Sequence, residues 1–215
     1  MDRVGDAFVW PFRDPEWTQK IVIIGLIALI PIVGGINAAG WMMAMIRRLR
    51  AGEEHLPPGN FDYLWPGFQL FVVLLVYYLV VFVAAGVFFG PALLLLSAQA
   101  NPHGSGWLVL VGIALLLMAF GLTLIGSLAI YCVIPAITLG VLDAGIGGGF
   151  ALATILRRTT RHPTNTLLAG LMLLAAGFIG GLGIYVFYVG LVITYPYSLA
   201  MEAWIIHSFE EALSV

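Results

Sequence analysis

Four apolar stretches, Ile21–Ile46, Pro66–Ser97, Trp107–Leu142 and Thr166–Met201, contain no Lys, Arg, Glu, Asp or His. Each exceeds the roughly 20 apolar residues needed to cross a hydrocarbon core of about 30 Å. Backbone polar groups inside such a core must be satisfied within the protein, so a spanning stretch is helical or part of a closed barrel. The length and apolarity of the runs point to helices. Only 9% of the 215 residues are charged and the mean hydropathy is +1.04. A soluble domain carries about a quarter charged residues, so this chain lacks the means to cover itself with a water-facing surface. The expectation is an all-α, polytopic transmembrane helix bundle, forming a single integral membrane domain over residues 1–215.

The stretches are longer than one crossing requires. At about 1.5 Å per residue the last would exceed ~50 Å as one straight helix, so tilt and breaks must absorb the excess. Pro31 with Gly34 and Gly35 interrupts the first stretch, and Gly177, Gly180, Gly181 and Gly183 cluster in the fourth. Pro91, Pro135 and Pro196 lie late in the second, third and fourth. Proline removes an intrahelical donor and glycine weakens a helix. The first and last stretches are therefore expected to be broken, giving four to six crossings. Pro31, Gly34, Gly35, Asn37, Gly180 and Gly181 are the candidate helix-break or gate residues.

All 9 basic residues fall in three groups: Arg3, Arg13 and Lys20; Arg47, Arg48 and Arg50; Arg157, Arg158 and Arg161. The positive-inside rule places the second and third groups, and with them loops 47–65 and 143–165, on the cytoplasmic side. A single crossing of the first stretch would put six basic residues on that side and three opposite. A first stretch folded back on itself would put all of them on one face. Trp10, Trp17, Trp65, Trp107 and Trp204 lie near segment ends, where indoles favour the headgroup level. Phe8, Val9, Trp10 and Phe12 read as a segment lying in the interface.

Asp14-Pro15-Glu16-Trp17 has the residue order of a helix start, with Asp14 as cap. Gly145-Ile146-Gly147-Gly148-Gly149 superficially resembles a phosphate loop, but no strand precedes it and no Lys-Ser/Thr follows. Beyond it, Leu152, Ile155 and Leu156 with Arg157, Arg158 and Arg161 predict a basic amphipathic surface helix whose arginines meet anionic lipid headgroups, or simply set the topology. Met201, Ile205, Phe209 and Leu213 recur every four residues, predicting an amphipathic tail at or beyond the membrane edge, with Glu202 and His207 on its solvated surface.

Ionisable groups within the membrane usually mark proton relays and ion coupling, and the four stretches have none. No metalloprotease or serine-hydrolase motif occurs, and His55, His103, His162 and His207 are dispersed. Cys132 is the sole cysteine, so no intrachain disulfide or multi-cysteine metal site can form. The chain reads as non-enzymatic, with no cofactor and no metal site, and its net charge of −2 argues against a nucleic-acid partner. Gly86-xxx-Gly90, Gly177-xxx-Gly181 and Gly40-xxx-Ala44 are small-xxx-small patterns suited to close helix packing, read as contacts inside the bundle ahead of a dimer face.

Several residues together resemble one family. The run Phe12 to Trp17 leads through Lys20 into Ile30-Pro31-Ile32-Val33-Gly34; Gly40, a basic cluster, Leu56-Pro57 and Gly67 follow, and Pro196-Tyr197 precedes an amphipathic tail. The pattern is similar to the bacterial and archaeal membrane family catalogued as domain of unknown function 4013. Leu-Pro-Pro-Gly stands here where that family's Leu-Pro-Glu-Trp is expected. A more distant likeness, to the membrane domain attached to glycerophosphodiester phosphodiesterases, brings no catalytic residues. The resemblance implies an architecture, a prokaryotic cytoplasmic membrane and no reaction. The function expected is that of an accessory or assembly subunit of a membrane complex, its partners being membrane lipids and another membrane protein subunit. The alternative is a channel or carrier for a lipid or other apolar solute, gated by the broken first and fourth stretches.

Overall fold

A computed structural model describes residues 4–98, 106–186 and 189–214; Arg3 and His103 lie outside them. Among the described residues there are helices and turns and no strand. The first apolar stretch is two helices, α1 (Trp17–Ala28) and α2 (Val33–Arg50). Between them Ile32 has φ 65° and ψ −61°, and the Val33 N–H donates to the Pro31 carbonyl at 2.7 Å. This is the positive-φ γ-turn, a rare and strained way to reverse a chain. Gly34 permits the reversal, since a Cβ there would lie 2.8 Å from Ala28 Cα. The chain then runs back beside α1. Its far end closes on the start, where Arg13 pairs with Glu54 and the Leu56 N–H donates to Asp14 at 2.8 Å.

The second and third stretches form α3 (Leu64–Ala98) and α4 (Gly106–Gly149), of 35 and 44 residues. Pro91 and Pro135 sit inside them without ending either. The real interruption in α4 is at Ala144 and Gly145, where Gly145 takes φ 63°. Chain reversal there lays Gly148 against Gly140, whose missing Cβ would fall 2.9 Å from the Gly148 carbonyl carbon. The glycine run is thus a close backbone crossing, not a phosphate cradle. It is followed by α5 (Leu152–Arg161), α6 (Pro163–Gly181) with a 3₁₀ extension to Tyr185, and α7 (Leu191–Ser214). The fourth stretch is therefore broken at its glycines, while Pro196 lies within α7.

Among the described residues three helices are long and apolar enough to cross a membrane: Leu64–Ser97, Gly106–Gly149 and Pro163–Tyr185. The expected four long segments become these three, a split first stretch, and α7, which carries Glu202, Glu210 and Glu211 along its length. The reason is local. The first stretch is divided at Pro31, leaving α1 with only 12 residues.

Packing falls into two compact units: residues 1–73 with 131–215, and residues 74–130. The first has a dense core organised by α7, which packs on α1, α2, α6 and the N-terminal 3₁₀ turns. Trp10 and Trp41 are fully buried and donate to the carbonyls of Ala200 and Pro57 at 3.0 and 3.1 Å. Trp10 also stacks on Trp204 at 5.8 Å between ring centres. These tryptophans satisfy their N–H groups inside the protein, whereas Trp65 and Trp107 remain exposed. The N-terminal segment likewise divides, with Trp10 in the core and Phe8, Val9 and Phe12 outside. Met201, Ile205 and Phe209 are buried, so the predicted tail is the second half of α7 and its apolar stripe is core.

The second unit consists of the distal parts of α3 and α4. They run antiparallel, since a Cβ at Gly112 would touch Leu96 and one at Gly126 would touch Val81. Among its described apolar residues only Ala85, Ala92, Ala119 and Ile130 are buried. It is a helix pair with little core of its own.

Candidate functional site

The charged residues of the first unit gather at the open ends of its helices. Arg50, in the last turn of α2, donates from Nε and Nη2 to Glu210 of α7 at 2.7 and 2.6 Å. Its Nη1 donates to Asp143 at 3.0 Å, and Asp143 accepts from Arg158 of α5 at 2.8 Å. Burial opposes the charged form of Arg50, yet the Glu210 and Asp143 carboxylates raise its pKa above the usual guanidinium value. Bidentate geometry gives such pairs direction as well as attraction. Four segments distant in sequence are thereby clasped at one point.

A second ionic cluster surrounds Asp14, whose side chain is 2% exposed. It accepts from Lys20 Nζ and from the N–H groups of Glu16 and Leu56, each at 2.8 Å. Burial alone would raise its pKa, but these donors outweigh it and hold the carboxyl below the usual carboxylate range. Asp14 is the expected cap of α1, but the N-cap is Glu16, without a side-chain cap hydrogen bond; Asp14 instead ties the turn before α1 to the chain leaving α2. Nearby, the Glu54 carboxylate and Asp6 raise the pKa of Arg13.

The three arginines of α5 line an open groove of about 420 Å³ together with Leu213 of α7. Arg158 is held by Asp143, and its Nη1 is buried without a hydrogen-bond partner among the described residues. Arg157 and Arg161 are exposed. Ile155 is buried and anchors the helix, while Leu152 and Leu156 are 58% and 57% exposed.

The candidate gate residues are placed as follows. Pro31 lies in the α1–α2 turn, Gly34 packs on α1, and a Cβ at Gly35 would meet nothing within 4 Å. Asn37 is fully buried; it donates to the Asn60 carbonyl at 2.8 Å and accepts from the Tyr63 N–H at 3.3 Å. It fastens the loop before α3. Gly180 packs against Ser198, a Cβ there falling 3.0 Å from Ser198 Cβ, while Gly181 faces open space. Asn37 is thus hydrogen-bonded to the loop before α3 and Gly180 is packed on α7.

The small-xxx-small glycines are also distributed unexpectedly. A Cβ at Gly86 or Gly90 would meet nothing within 4 Å, and one at Gly177 only the Tyr131 hydroxyl at 3.9 Å. The close backbone approaches are elsewhere, at Gly25 against Val192 and at Gly40 against Gly67 and Tyr63. Gly40 alone of the three patterns begins on a tight interhelical contact.

Two apolar openings remain. One, of about 570 Å³, lies between α3 and α4 in the second unit, walled by Phe82, Ala85, Gly86, Phe89, Ala119 and Phe120 among others. A smaller one of about 280 Å³ is bounded by Gly25, Ala28, Ile32, Gly35, Leu191 and Tyr195 at the tips of the α1–α2 and α6–α7 pairs. Glu202, expected on a solvated surface, is half-buried. Tyr195, Ser198 and Glu202 follow a three-then-four spacing along one face of α7, a signal the sequence carried. No group of three or more His, Cys, Asp or Glu among the described residues is arranged to hold a metal ion.

Comparison with known proteins gives one match. The profile of a family described as "Protein of unknown function (DUF4013)" matches residues 23–194. No curated protein and no solved structure matches the chain.

Proposed function

The chain belongs to the DUF4013 family of proteins of unknown function, and from that premise we propose that it is a non-enzymatic multi-pass membrane protein serving as an accessory or assembly subunit of a larger membrane complex. The observation that carries this reading is the apolar opening of about 570 Å³ between α3 and α4. Small residues wall it at Ala85, Gly86 and Ala119, and large exposed ones flank it, Phe82 and Phe120 being 59% and 69% exposed. Small residues let helix backbones approach closely in lipid, where packing supplies most of the attraction. Ala85 and Ala119 are buried, but a Cβ at Gly86 would meet nothing within 4 Å, which leaves a notch sized for side chains of another helix.

The proposed topology has α3, α4 and α6 crossing the membrane, α7 returning alongside α6, and α1–α2 dipping in and folding back. Support comes from the ion pairs. Arg13, Lys20, Arg48, Arg50 and Arg158 all make theirs around the open ends of these helices. One face then holds the basic residues, and the positive-inside rule makes it cytoplasmic. The carrier alternative needs an opening at Asn37 and the Gly177–Gly183 region; Asn37 is hydrogen-bonded and Gly180 packed there.

A photo-crosslinking amino acid at Phe82 or Phe120, with one at Leu171 of α6 as comparison, tests the subunit reading in native membranes. One discrete heteromeric protein adduct is expected from the first two positions and none from the third. Lipid adducts alone at all three, or an adduct only with a second copy of this chain, would overturn it.

A further inference from the structure

The groove on α5 is the strongest remaining feature. Arg157, Arg158 and Arg161 and Leu213 line it, and it encloses about 420 Å³. Asp143 neutralises part of Arg158 but is shared with Arg50. Arg157 and Arg161 have no acidic partner among the described residues, and Arg158 Nη1 is buried with no acceptor. Three arginines thus line one space, and the two exposed ones keep their donors for a ligand, the chemistry that recognises phosphate oxygens.

The same helix shows where that phosphate comes from. Leu152 and Leu156 are four apart, as are Arg157 and Arg161, and residues four apart stack on one flank of a helix. An exposed apolar row therefore adjoins an exposed basic row. A site for a soluble anion has no use for the leucines. A helix lying at the headgroup level uses both, with leucines among acyl chains and arginines at the phosphates. The helix is also fixed in place: Ile155 is buried, and Thr166 donates to the Thr159 carbonyl at 2.8 Å, tying α6 to α5.

We propose that the groove of Arg157, Arg158 and Arg161 beside Leu213 binds the phosphate of an anionic phospholipid headgroup, whose acyl chains run along Leu152 and Leu156. Arg157 and Arg161 supply the free charge; Arg158, held by Asp143, completes the basic wall of the groove. The assignment rests on the membrane placement proposed above and is independent of the partner subunit.

The test is native mass spectrometry of the full chain, purified in mild detergent and titrated with phosphatidylglycerol or phosphatidylcholine. Phosphatidylglycerol is expected to stay bound at least about tenfold better, and the Arg157→Gln/Arg161→Gln double variant to lose that preference. Arg47→Gln, which removes an exposed arginine outside the groove, is expected to keep it. Thermal unfolding of each variant in detergent shows whether the fold is retained, and Arg157→Lys/Arg161→Lys should restore part of the preference. Equal retention of the two lipids, equal loss in Arg47→Gln, or displacement of the lipid by millimolar inorganic phosphate would overturn the proposal. Incorporation of the protein into phosphatidylcholine nanodiscs is measured separately. Its failure would strike the membrane placement, whereas lost headgroup preference in incorporated protein strikes only the groove.

Discussion

Gly25 and Gly86 are both glycines inside apolar helices, and the structure gives them opposite roles. A methyl group at Gly25 would stand 2.7 Å from Val192 Cα and closer still to the Val192 carbonyl oxygen. Carbon atoms in contact prefer about 3.5–4.0 Å, so α1 and α7 must separate by roughly 1 Å. Because the obstacle is backbone, no rotamer change relieves it, and the overpacking cost lies near the upper end of about 1–3 kcal/mol. Alanine returns about 0.5–1 kcal/mol through its better helix propensity. The net loss for Gly25→Ala is thus about 2 kcal/mol, which for a chain of this size lowers Tm by about 4–8 °C. At Gly86 the same methyl meets nothing within 4 Å, so only the propensity gain of about 0.5–1 kcal/mol applies and Tm rises by about 1–4 °C. Thermal unfolding in detergent, followed by the fluorescence of the stacked Trp10 and Trp204, reads both. Shifts of the same sign for the two variants would refute the assignment of tight and open glycines.

Three further outcomes are expected. Ile32→Gly should raise Tm, because glycine adopts φ 65° freely and the strain of about 1–3 kcal/mol at a β-branched residue is removed; an unchanged or lower Tm counts against the γ-turn. Asp14 has a folded pKa below its unfolded value, so its stabilisation is fully present above the unfolded pKa of about 3.9 and is lost as pH falls through the folded one. Denaturation midpoints of the parent should therefore drop below about pH 4 more steeply than those of Asp14→Asn, and parallel profiles would contradict this. In a Cys132→Ala background, single cysteines at Glu54, Ala153 and Glu211 should all react with a membrane-impermeant thiol reagent from the same side of sealed vesicles; opposite-side labelling of any one would break the proposed topology.

What the sequence displayed and what it hid follow from the range of the interactions involved. Local signals were legible. Uninterrupted apolar runs became α3, α4 and α6, and Pro31 and the glycines after Gly180 marked the breaks. Asp14-Pro15 marked the start of α1, and the arginines of α5 were recognisable as a basic face. Long-range pairings were not legible. Arg13–Glu54 and Leu56–Asp14 span 41 and 42 residues, and nothing near either partner announces the other. An apolar stripe such as Met201, Ile205 and Phe209 tells which face is buried but not whether lipid or protein buries it. Trp10 and Trp204 illustrate the same limit, since an indole near a segment end can seat itself in headgroups or against another indole. Glycine spacing misled for a statistical reason: among 26 glycines four-residue intervals arise freely, while the contacts that matter, Gly25–Val192 and Gly40–Gly67, join different helices. The site followed this pattern, its arginines visible in sequence and their clasp through Asp143, Arg50 and Glu210 not.

The paired helices α1–α2 and α6–α7, with their ionic residues at the open ends, bear on how such a chain would enter a bilayer. The connections within the two pairs are residues 29–32, reading Leu-Ile-Pro-Ile, and residues 186–190, reading Val-Phe-Tyr-Val-Gly. Neither carries a charged side chain. Carrying one Lys or Arg to the bilayer centre costs about 2.5–3.5 kcal/mol on insertion scales, and a hairpin inserted connection first never incurs it. The ion pairs that clasp the open ends can therefore assemble in water after the apolar helices have partitioned. On the proposed topology, membrane insertion and completion of the charged layer would be separate stages of biogenesis, and removing Arg50 or Glu210 should affect the second stage while leaving the first intact.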